Sequence, residues 1–566
     1  MHKINILKIC TLSFLTFLLF YLSFPPADLG YLAWIAFVPW FILIVTEKKF
    51  VYLNALLIGL VFFFVHLSWL RHVTYAAWFL LSLYCSVYFL LFMLCVRPVI
   101  FKLKWPLSLA APCTWVALEF IRSFFLSGFP WFFVGHTQYR FLPVIQISDI
   151  TGVYGISFII IMVNASLADF ILRFADYSGK AASGLVQMSL DASMKKSRFW
   201  WLRHIQKEWF FADRYAPCLF PGRPSLFFSM AGIFPVLLLA AMLFYGHSWL
   251  RGYIPEEGPL LGMVQGNIPQ DIKHHPSEEY QLGVLKKHYD LSMSARGEPL
   301  DLLVWPETMV PGILNIGDEF TAKKIDILSQ LTAVQLASDL NTNLVLGAIA
   351  IELDGEESIY LNSAFYYDRK GQLIDRYDKI HLVPFGEFTP LKEYFPFLTG
   401  IVPYEVGLTH GKKRILFHLD TLKEERFTFG VSICYEDTVP PLIRKFRKDG
   451  ADFMLNITND GWFRDSAELD QHLAIMVFRA VENRFCMVRA ANTGISSFVS
   501  PDGAIYAKLT DPDGKYREIS GVLIDRIRFM KKYHTFYTNY GDCFSLLCMA
   551  ALGGMLCTVF LKRLYP

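Results

Sequence analysis

Charge is scarce in this chain, and that scarcity limits what the protein can be. Only 18% of its 566 residues are Asp, Glu, Lys or Arg, whereas 54% are hydrophobic. Soluble chains average about 25% charged residues, so the composition favours a membrane protein. The net charge of +3 is too small to indicate a nucleic-acid partner. Repeats and low-complexity tracts are lacking as well.

Long apolar runs are what the chain has instead, and they enclose one polar block. A span needs about 20 apolar residues to cross the hydrocarbon core. The first run lacks a small-residue cleavage site, since it ends in Phe24-Pro25-Pro26, so it is predicted to be an uncleaved helix rather than a signal peptide. Eight helices are predicted to span the membrane, at residues 6–24, 31–45, 51–70, 76–96, 106–126, 156–174, 226–250 and 544–561.

Basic residues predict the orientation. Lys and Arg concentrate at the N-terminus, in alternate loops and after the last span, whereas the opposite loops offer only Arg71 and Arg140. Because basic loops stay cytoplasmic, both termini are expected inside and the polar block outside. The predicted units are a membrane domain at 1–255, a catalytic domain at 256–530, and a final span with a short tail at 531–566. In the fifth span, Glu119 and Arg122 could pair on one helical face.

A basic, tryptophan-containing insert at 175–225 is predicted on the cytoplasmic side. Its stretch 198–211 is typical of an amphipathic helix on anionic lipid, with a partly disordered loop as the alternative. In the exported block the cysteines are few, namely Cys434 and Cys486. Exported thiols usually pair, so these two are either bridged or one is kept free for reaction.

The polar block alternates short apolar strands with helical segments, which predicts an α/β layered domain. Cys434 ends the apolar run 427–433, with the opening of a helix expected after it. The positive helix end is expected to lower the pKa of the thiol and favour the nucleophilic thiolate. A buried structural cysteine is the alternative.

Two further residues are candidates for the same chemistry. Glu307 follows the strand 302–305 and one proline, at the strand end where open α/β sheets gather ligands. A carboxylate there can take the proton of a thiol, although a solvated strand-end glutamate is the commoner case. Lys379 lies among aromatic residues, a histidine and a Pro-Phe-Gly turn. Near a thiolate it could donate to a developing oxyanion; a surface lysine is the alternative.

Trp305-Pro306-Glu307, the run from Lys379 to Glu387, and Ser432-Ile433-Cys434-Tyr435-Glu436 together resemble the Glu–Lys–Cys signature of the nitrilase superfamily. With seven spans before the domain and one after it, the chain resembles the apolipoprotein N-acyltransferase family of the bacterial lipoprotein pathway. The run 129–155 and Val264-Gln265-Gly266-Asn267-Ile268-Pro269-Gln270 are also similar to that family.

The resemblance implies an αββα sandwich on a helical membrane bundle, without metal or cofactor. It implies ping-pong transfer of an acyl chain from a membrane phospholipid to the α-amine of a diacylated apolipoprotein, through a thioester on Cys434. Glu307 would be the general base and Lys379 the oxyanion donor, supported by Glu387, Tyr435 and Glu436. The enzyme would be a monomer in the bacterial inner membrane, its catalytic domain periplasmic.

Three departures from the family pattern stand out: His274-His275 where an aromatic residue is expected, Arg464 where a small residue is usual, and the length of the 175–225 insert. Two other functions compete. A membrane-anchored amidase or nitrilase-type hydrolase would resolve the acyl-enzyme with water, although one helix would suffice to tether it. A transporter or sensor would only bind ligand, and its function would survive Cys434→Ala.

Overall fold

The computed structural model describes residues 6–189, 226–270, 277–317, 320–384, 386–388, 407–530 and 533–564, with backbone only at 175–189 and 226–232. The predicted surface helix at 198–211 and the His274-His275 pair lie outside the described residues.

Apolar helices make up the N-terminal part and the C-terminal end. Four are long and apolar enough to cross a membrane, namely Tyr75–Leu103, Val153–Phe174, Ile233–Gly252 and Cys543–Leu564. Shorter apolar helical segments cover Ile6–Leu22, Gly30–Thr46 and Val51–His66, and Leu107–Arg122 packs among them. These helices support a membrane-anchored protein, while the number of eight spans stays a prediction.

The polar block folds into two six-stranded sheets that face each other. The first has the order β12-β1-β2-β3-β4-β5 and the second β11-β10-β9-β8-β7-β6. The strands are β1 Glu256–Gln265, β2 Leu302–Val304, β3 Asn343–Asp354, β4 Glu357–Tyr367, β5 Leu373–Asp378, β6 Leu416–Asp420, β7 Arg426–Ile433, β8 Phe453–Thr458, β9 Cys486–Ala491, β10 Ser497–Val499, β11 Ile505–Lys508 and β12 Gly521–Phe529.

Helices cover the outer face of each sheet and complete an αββα sandwich. Glu278–Met293 and Lys324–Leu340 lie on the first sheet, and Pro440–Asp449 and Glu468–Asn483 on the second. Aromatic rings fill the space between the sheets: Tyr366 of β4 contacts Phe417 of β6 at 5.3 Å between centroids. The predicted α/β nitrilase-like layering is confirmed, because β2, β8 and β9 are buried at every position, as strands covered on both faces must be.

The membrane helices and the sandwich share an interface held by buried charge. Arg484, which follows the helix Glu468–Asn483, donates to Asp149 of the membrane part at 2.6 Å and stacks 3.4 Å above the ring of Trp249. At the other side of this interface the ring of Trp69 meets Phe463 at 4.8 Å. The sandwich is therefore packed onto the helices rather than tethered by a linker.

Removing Arg484 is expected to loosen this interface. Arg484→Leu leaves Asp149 buried without its partner, and breaking one side of a buried ion pair costs about 3–5 kcal/mol. A lower Tm of the purified protein in detergent checks this. As the matched control, Arg414→Leu breaks the exposed pair with Asp449, which contributes about 1 kcal/mol or less. Equal shifts for the two variants would contradict the role assigned to Arg484.

The predicted pairing of Glu119 with Arg122 is wrong. Among the described residues, no nitrogen–oxygen contact within 4 Å joins them; the Glu119 carboxylate instead accepts from the Trp115 indole and the Val134 amide, both at 2.8 Å. Arg122 donates to the carbonyl of Phe132 at 3.4 Å and lies 5.3 Å from the ring centroid of Phe133. Glu119 is held by its own helix and by the backbone at Val134, and Arg122 by the segment 132–133, so each side chain has partners other than the other.

Candidate active site

One cavity of about 450 Å³ brings together the three residues that the sequence singled out. Glu307, Lys379 and Cys434 all line it, although they come from stretches far apart in the chain. Most of its other lining side chains are apolar. Part of its wall comes from the membrane region, at Leu70, Val73, Thr74 and Ala77. The site therefore opens where the sandwich meets the helices.

Glu307 is positioned by the end of β2 and by a close approach of β3. A Cβ on Gly347 would lie 2.2 Å from the carbonyl oxygen of Pro306, so only glycine lets the two segments pack this tightly. The Glu307 carboxylate accepts from the Asn362 amide at 2.7 Å and from the backbone N–H of Asn459 at 2.9 Å. With both oxygens held, the carboxylate is fixed in the cavity wall.

Lys379 is 1% exposed and sits between two carboxylates. Its ammonium donates to Glu387 at 2.9 Å and to Glu307 at 3.3 Å. Burial alone would lower the pKa of Lys379, but the Glu387 and Glu307 carboxylates raise it well above its ordinary value. The side chain is thus a fixed cation. An ammonium has three donors, which leaves one to point at a reacting oxygen in the cavity.

Cys434 lies immediately after β7 with φ of +52°, in the left-handed region that non-glycine residues rarely adopt. Such strain is stored where the surrounding structure overdetermines it; here the Asn456 amide donates to the Cys434 carbonyl at 3.0 Å. The predicted lowering of its pKa is wrong: burial and the Glu307 carboxylate raise the pKa of the thiol well above its usual value. The turn Cys434–Thr438 is a short 3₁₀ segment, and the α-helix begins only at Pro440.

A protonated thiol beside a fixed carboxylate defines the chemistry available. The nucleophile must lose its proton during attack, so a general base is required and Glu307 is within reach of that role. The Lys379 ammonium, which lies beside the same carboxylate, can stabilise the oxygen of a tetrahedral intermediate. This arrangement suits transfer of an acyl group through a thioester.

The three residues predicted to support the site occupy different positions. Glu387 touches the trio directly, because it accepts from Lys379, from Asn362 at 3.0 Å and from the Val383 amide at 2.9 Å. Glu436 points away from the cavity and accepts from the amides of Ile380 and Ile433 at 2.7 and 2.8 Å. It thereby ties the Lys379 loop to the Cys434 turn.

Tyr435 joins the site to the membrane helices. Its hydroxyl donates to the carbonyl of Gly128 at 3.2 Å, and its ring lies parallel to that of Trp131, with 6.3 Å between centroids. The ring of Tyr435 also contacts the ring of His381, two residues from Lys379, with 5.9 Å between centroids. Tyr435 therefore connects the Lys379 and Cys434 segments to the membrane part and does not line the described cavity.

Sequence analysis missed Asn362, which donates to both Glu307 and Glu387. It lies on β4. Leu361 precedes it and Ser363 follows it, so no local pattern distinguishes it from an ordinary polar residue of a strand. Both cysteines of the sandwich are free: Cys486 on β9 is buried, its sulfur 3.6 Å from the Tyr506 hydroxyl. The alternative of a Cys434–Cys486 bridge is excluded.

A buried charge network lies beneath Cys434. Asp460, Glu468 and His472 place ligand atoms within 4.8 Å of one another, the spacing of a metal site. His472 also contacts Asp437 at 2.8 Å, and Asp437 pairs with Arg489. Burial and Arg489 oppose protonation of His472, but the Asp437 and Asp460 carboxylates raise its pKa to about 9. An imidazolium has no lone pair for a metal, so the cluster is better explained as an ion-pair network.

Glu468 makes the stability of this network depend on pH. Burial, reinforced by Asp460, raises the pKa of Glu468 from 4.5 to about 8. Because the folded state favours the neutral acid, its contribution to stability is complete below pH 4.5 and is lost as the pH rises through 8. Glu468→Gln is therefore expected to raise Tm relative to the wild type at pH 8 more than at pH 5. A difference that is the same at both pH values would contradict the raised pKa.

Comparison with known proteins agrees with this geometry. The model of the apolipoprotein N-acyltransferase N-terminal domain matches residues 18–166, and the carbon-nitrogen hydrolase model matches residues 260–527. The chain is similar to the apolipoprotein N-acyltransferase of Geobacter metallireducens, with 34% identity over 81% of this chain and 75% of that protein.

Two further similarities extend the comparison. Apolipoprotein N-acyltransferase 1 of Treponema denticola is 26% identical over 94% of this chain and 92% of its own length. Among solved structures, Saccharomyces cerevisiae Nit3, of the nitrilase superfamily, covers 49% of this chain and 92% of its own, at 20% identity and a TM-score of 0.35. On the sequence matches, over both the membrane part and the sandwich, the chain belongs to the apolipoprotein N-acyltransferase family.

Proposed function

We propose that the protein transfers an acyl chain from a membrane phospholipid to the α-amine of the S-diacylglyceryl N-terminal cysteine of lipoproteins. The observation that carries this is the shared cavity: a thiol, a carboxylate and an ammonium lie together in a wall completed by residues of the membrane part. Family membership supports the same activity. The reaction would be the last step of bacterial lipoprotein maturation.

The first half-reaction forms the acyl-enzyme. The Cys434 sulfur attacks the ester carbonyl carbon while Glu307 takes the thiol proton. Lys379 donates to the oxyanion of the tetrahedral intermediate. The intermediate collapses, the ester C–O bond breaks, and the leaving alkoxide takes the proton from Glu307. A lysophospholipid departs and the acyl chain stays on Cys434 as a thioester.

The second half-reaction uses the same residues in turn. The α-amine of the diacylated acceptor attacks the thioester carbonyl, and Glu307 takes a proton from the attacking nitrogen. Lys379 again stabilises the oxyanion, the C–S bond breaks, and the thiolate recovers its proton from Glu307. An amide-linked acyl chain leaves on the lipoprotein. The covalent intermediate allows one lipid to depart before the other arrives, which suits a single cavity.

The membrane anchor has a physical reason in this scheme. Each CH₂ of an acyl chain moved into water costs about 0.8 kcal/mol, so lifting a phospholipid out of the bilayer would be prohibitive. Leu70, Val73 and Ala77 carry the cavity wall down to the helices instead. The acyl ester can then reach Cys434 while its chain stays among apolar groups.

We further propose the periplasmic side of the inner membrane for the catalytic unit, 256–530, with cytoplasmic termini. At one end of the bundle Lys8 pairs with Glu47 at 3.0 Å, and Arg97 donates to the Glu47 carbonyl. The sandwich packs at the opposite end, where Tyr435 contacts Gly128. Basic residues thus gather at the face away from the sandwich, as expected of a cytoplasmic face. A monomer suffices, because one chain supplies the whole trio.

Incubating the purified protein with phospholipid labelled in its acyl chains and a diacylated lipopeptide tests the proposed function. Amide-linked label on the first residue of the peptide is expected. Label released only as fatty acid would contradict acyl transfer and indicate the hydrolase.

A further inference from the structure

Three basic residues, Arg71, His72 and Arg464, lie at the mouth of the cavity next to residues that line it. Trp462 and Phe463 line the cavity, and Arg464 follows them directly. Across the mouth, Arg71 and His72 lie between the lining residues Leu70 and Val73. The contact of Trp69 with Phe463, at 4.8 Å between ring centroids, brings the two segments together.

The three basic side chains are exposed. Arg71 donates through Nε to the Ser68 carbonyl at 2.9 Å and lies 5.4 Å from the ring centroid of Trp78. These contacts hold the guanidinium in place, and among the described residues its two terminal nitrogens donate no hydrogen bond. The acidic neighbour of Arg464, Asp465, is occupied by Arg517 at 3.0 Å. Within the part of the chain that the structure describes, Arg71, His72 and Arg464 have no carboxylate within 4 Å.

The guanidinium groups of Arg464 and Arg71 lie close enough to His72 to oppose its protonation. Slight burial, together with Arg464 and Arg71, lowers the pKa of His72. Like charges held close together repel, so their arrangement is stabilised when an anion binds between them. Guanidinium groups bind phosphate oxygens in bidentate fashion. The chemistry of this cluster therefore favours a phosphate group.

We propose that Arg71, His72 and Arg464 bind the phosphodiester of the acyl-donor phospholipid while its acyl ester reaches Cys434. The inference rests on the proposed function and assigns the headgroup subsite within it. The diacylated acceptor carries no phosphate in its lipid portion, so the cluster distinguishes donor from acceptor. The lysophospholipid product keeps the phosphodiester, and it therefore competes for the same subsite.

The test compares thioester formation on Cys434 with two kinds of donor, in full-length protein in micelles of neutral detergent. One donor is phosphatidylglycerol or phosphatidylethanolamine; the other is a para-nitrophenyl acyl ester without phosphate. Arg464→Gln and Arg71→Gln are each expected to raise KM for both phospholipids about tenfold. KM for the ester is expected to change less than twofold. Arg296→Gln, another exposed arginine remote from the cavity, is the matched control.

Two further measurements identify the ligand. Lysophosphatidylglycerol is expected to inhibit thioester formation from phosphatidylglycerol in the wild type, and about tenfold more weakly in Arg464→Gln. Transfer from a preformed acyl-enzyme to a diacylated lipopeptide is expected to keep its KM in both variants. Raised salt should increase KM for phospholipid in the wild type and less so in the double variant, because it screens exposed charge.

The outcomes separate this inference from the function on which it rests. A wild type that forms no thioester with any donor overturns the proposed function. If the wild type forms the thioester normally and the double variant Arg71→Gln/Arg464→Gln keeps the wild-type KM for phospholipid, the phosphate subsite alone is overturned. Inhibition of the para-nitrophenyl reaction by inorganic phosphate, lost in the variants, assigns the cluster to a free anion and overturns the lipid assignment.

Discussion

Replacing Cys434 with alanine is expected to lower acyl transfer to the lipopeptide by about 10⁴-fold or more, since removing a nucleophile removes the covalent route entirely. The acyl adduct seen on the intact wild-type protein after incubation with phospholipid is expected to disappear. Transfer is measured by the appearance of the triacylated peptide, and the adduct by mass spectrometry of the intact protein.

Cys486→Ala provides the matched control. Cys486 is the other cysteine of the sandwich, free and buried on β9, with Tyr506 rather than the cavity as its neighbour. Its removal is expected to leave both transfer and adduct in place. A protein that only binds ligand predicts the reverse pattern for Cys434: normal function in the alanine variant and an adduct in neither protein. Retained transfer in Cys434→Ala would therefore refute the thioester route.

Position along the strands made Glu307 and Cys434 candidates, and the resemblance to the nitrilase signature grouped them with Lys379. Glu307 follows β2 of the first sheet and Cys434 follows β7 of the second, so it is the packing of the two sheets, not one sheet edge, that brings them together. Lys379 comes after β5, at the far edge of the first sheet, and only the turn of the chain after Asp378 brings it back. That turn depends on Glu436, whose carboxylate accepts from Ile380 and His381. Such long-range hydrogen bonds leave no periodic signal in the sequence.

Sequence analysis failed on two points, three of the strands and the pKa of Cys434, and each failure has a physical reason. Strands β6, β11 and β12, which the apolar pattern does not predict, each form an edge of a sheet, where polar residues such as Asp525, Arg526 and Arg528 are tolerated. The pKa of Cys434 was predicted from the local helix alone. The residues that raise it, Glu307 and Asp460, come from other strands. Electrostatics of a buried site depend on tertiary neighbours, which a local pattern does not contain.

The strongest test of the division of roles is Glu307→Gln. The neutral amide keeps the size of the side chain and its place among Asn362, Asn459 and Lys379 but cannot take a proton. Loss of a general base costs about 10²–10⁴-fold in rate, so transfer is expected to fall by that factor. The measurement is single-turnover thioester formation followed by amide formation, because the same carboxylate serves both half-reactions.

In the same Glu307→Gln variant the pKa of Cys434 is expected to fall, so the thiol ionises more readily although transfer is slower. The Glu307 carboxylate helps to raise the pKa of the thiol, whereas Lys379 lowers it. Burial and Asp460 still raise the pKa of Cys434 in the variant, but one of the groups that raise it is gone. The pKa of Cys434 therefore falls, and thiolate is populated at lower pH than in the wild type. Alkylation of Cys434 by iodoacetamide across a pH series is expected to shift to lower pH in Glu307→Gln, although transfer is slower.

Slower transfer combined with alkylation at lower pH distinguishes a proton acceptor from a group that only positions other residues of the site. If Glu307 served only to position Lys379, its loss would slow alkylation and transfer alike, since both need an ordered cavity. If Glu307 takes the proton, the Glu307→Gln variant still transfers acyl groups poorly although its thiol ionises more readily. The leaving alkoxide then lacks its proton donor, and the attacking amine lacks its proton acceptor. Asn362→Ala is the matched control: it removes one hydrogen bond to Glu307 and is expected to slow transfer by less than the glutamine variant. Parallel loss of alkylation and transfer in Glu307→Gln would reassign the residue to positioning.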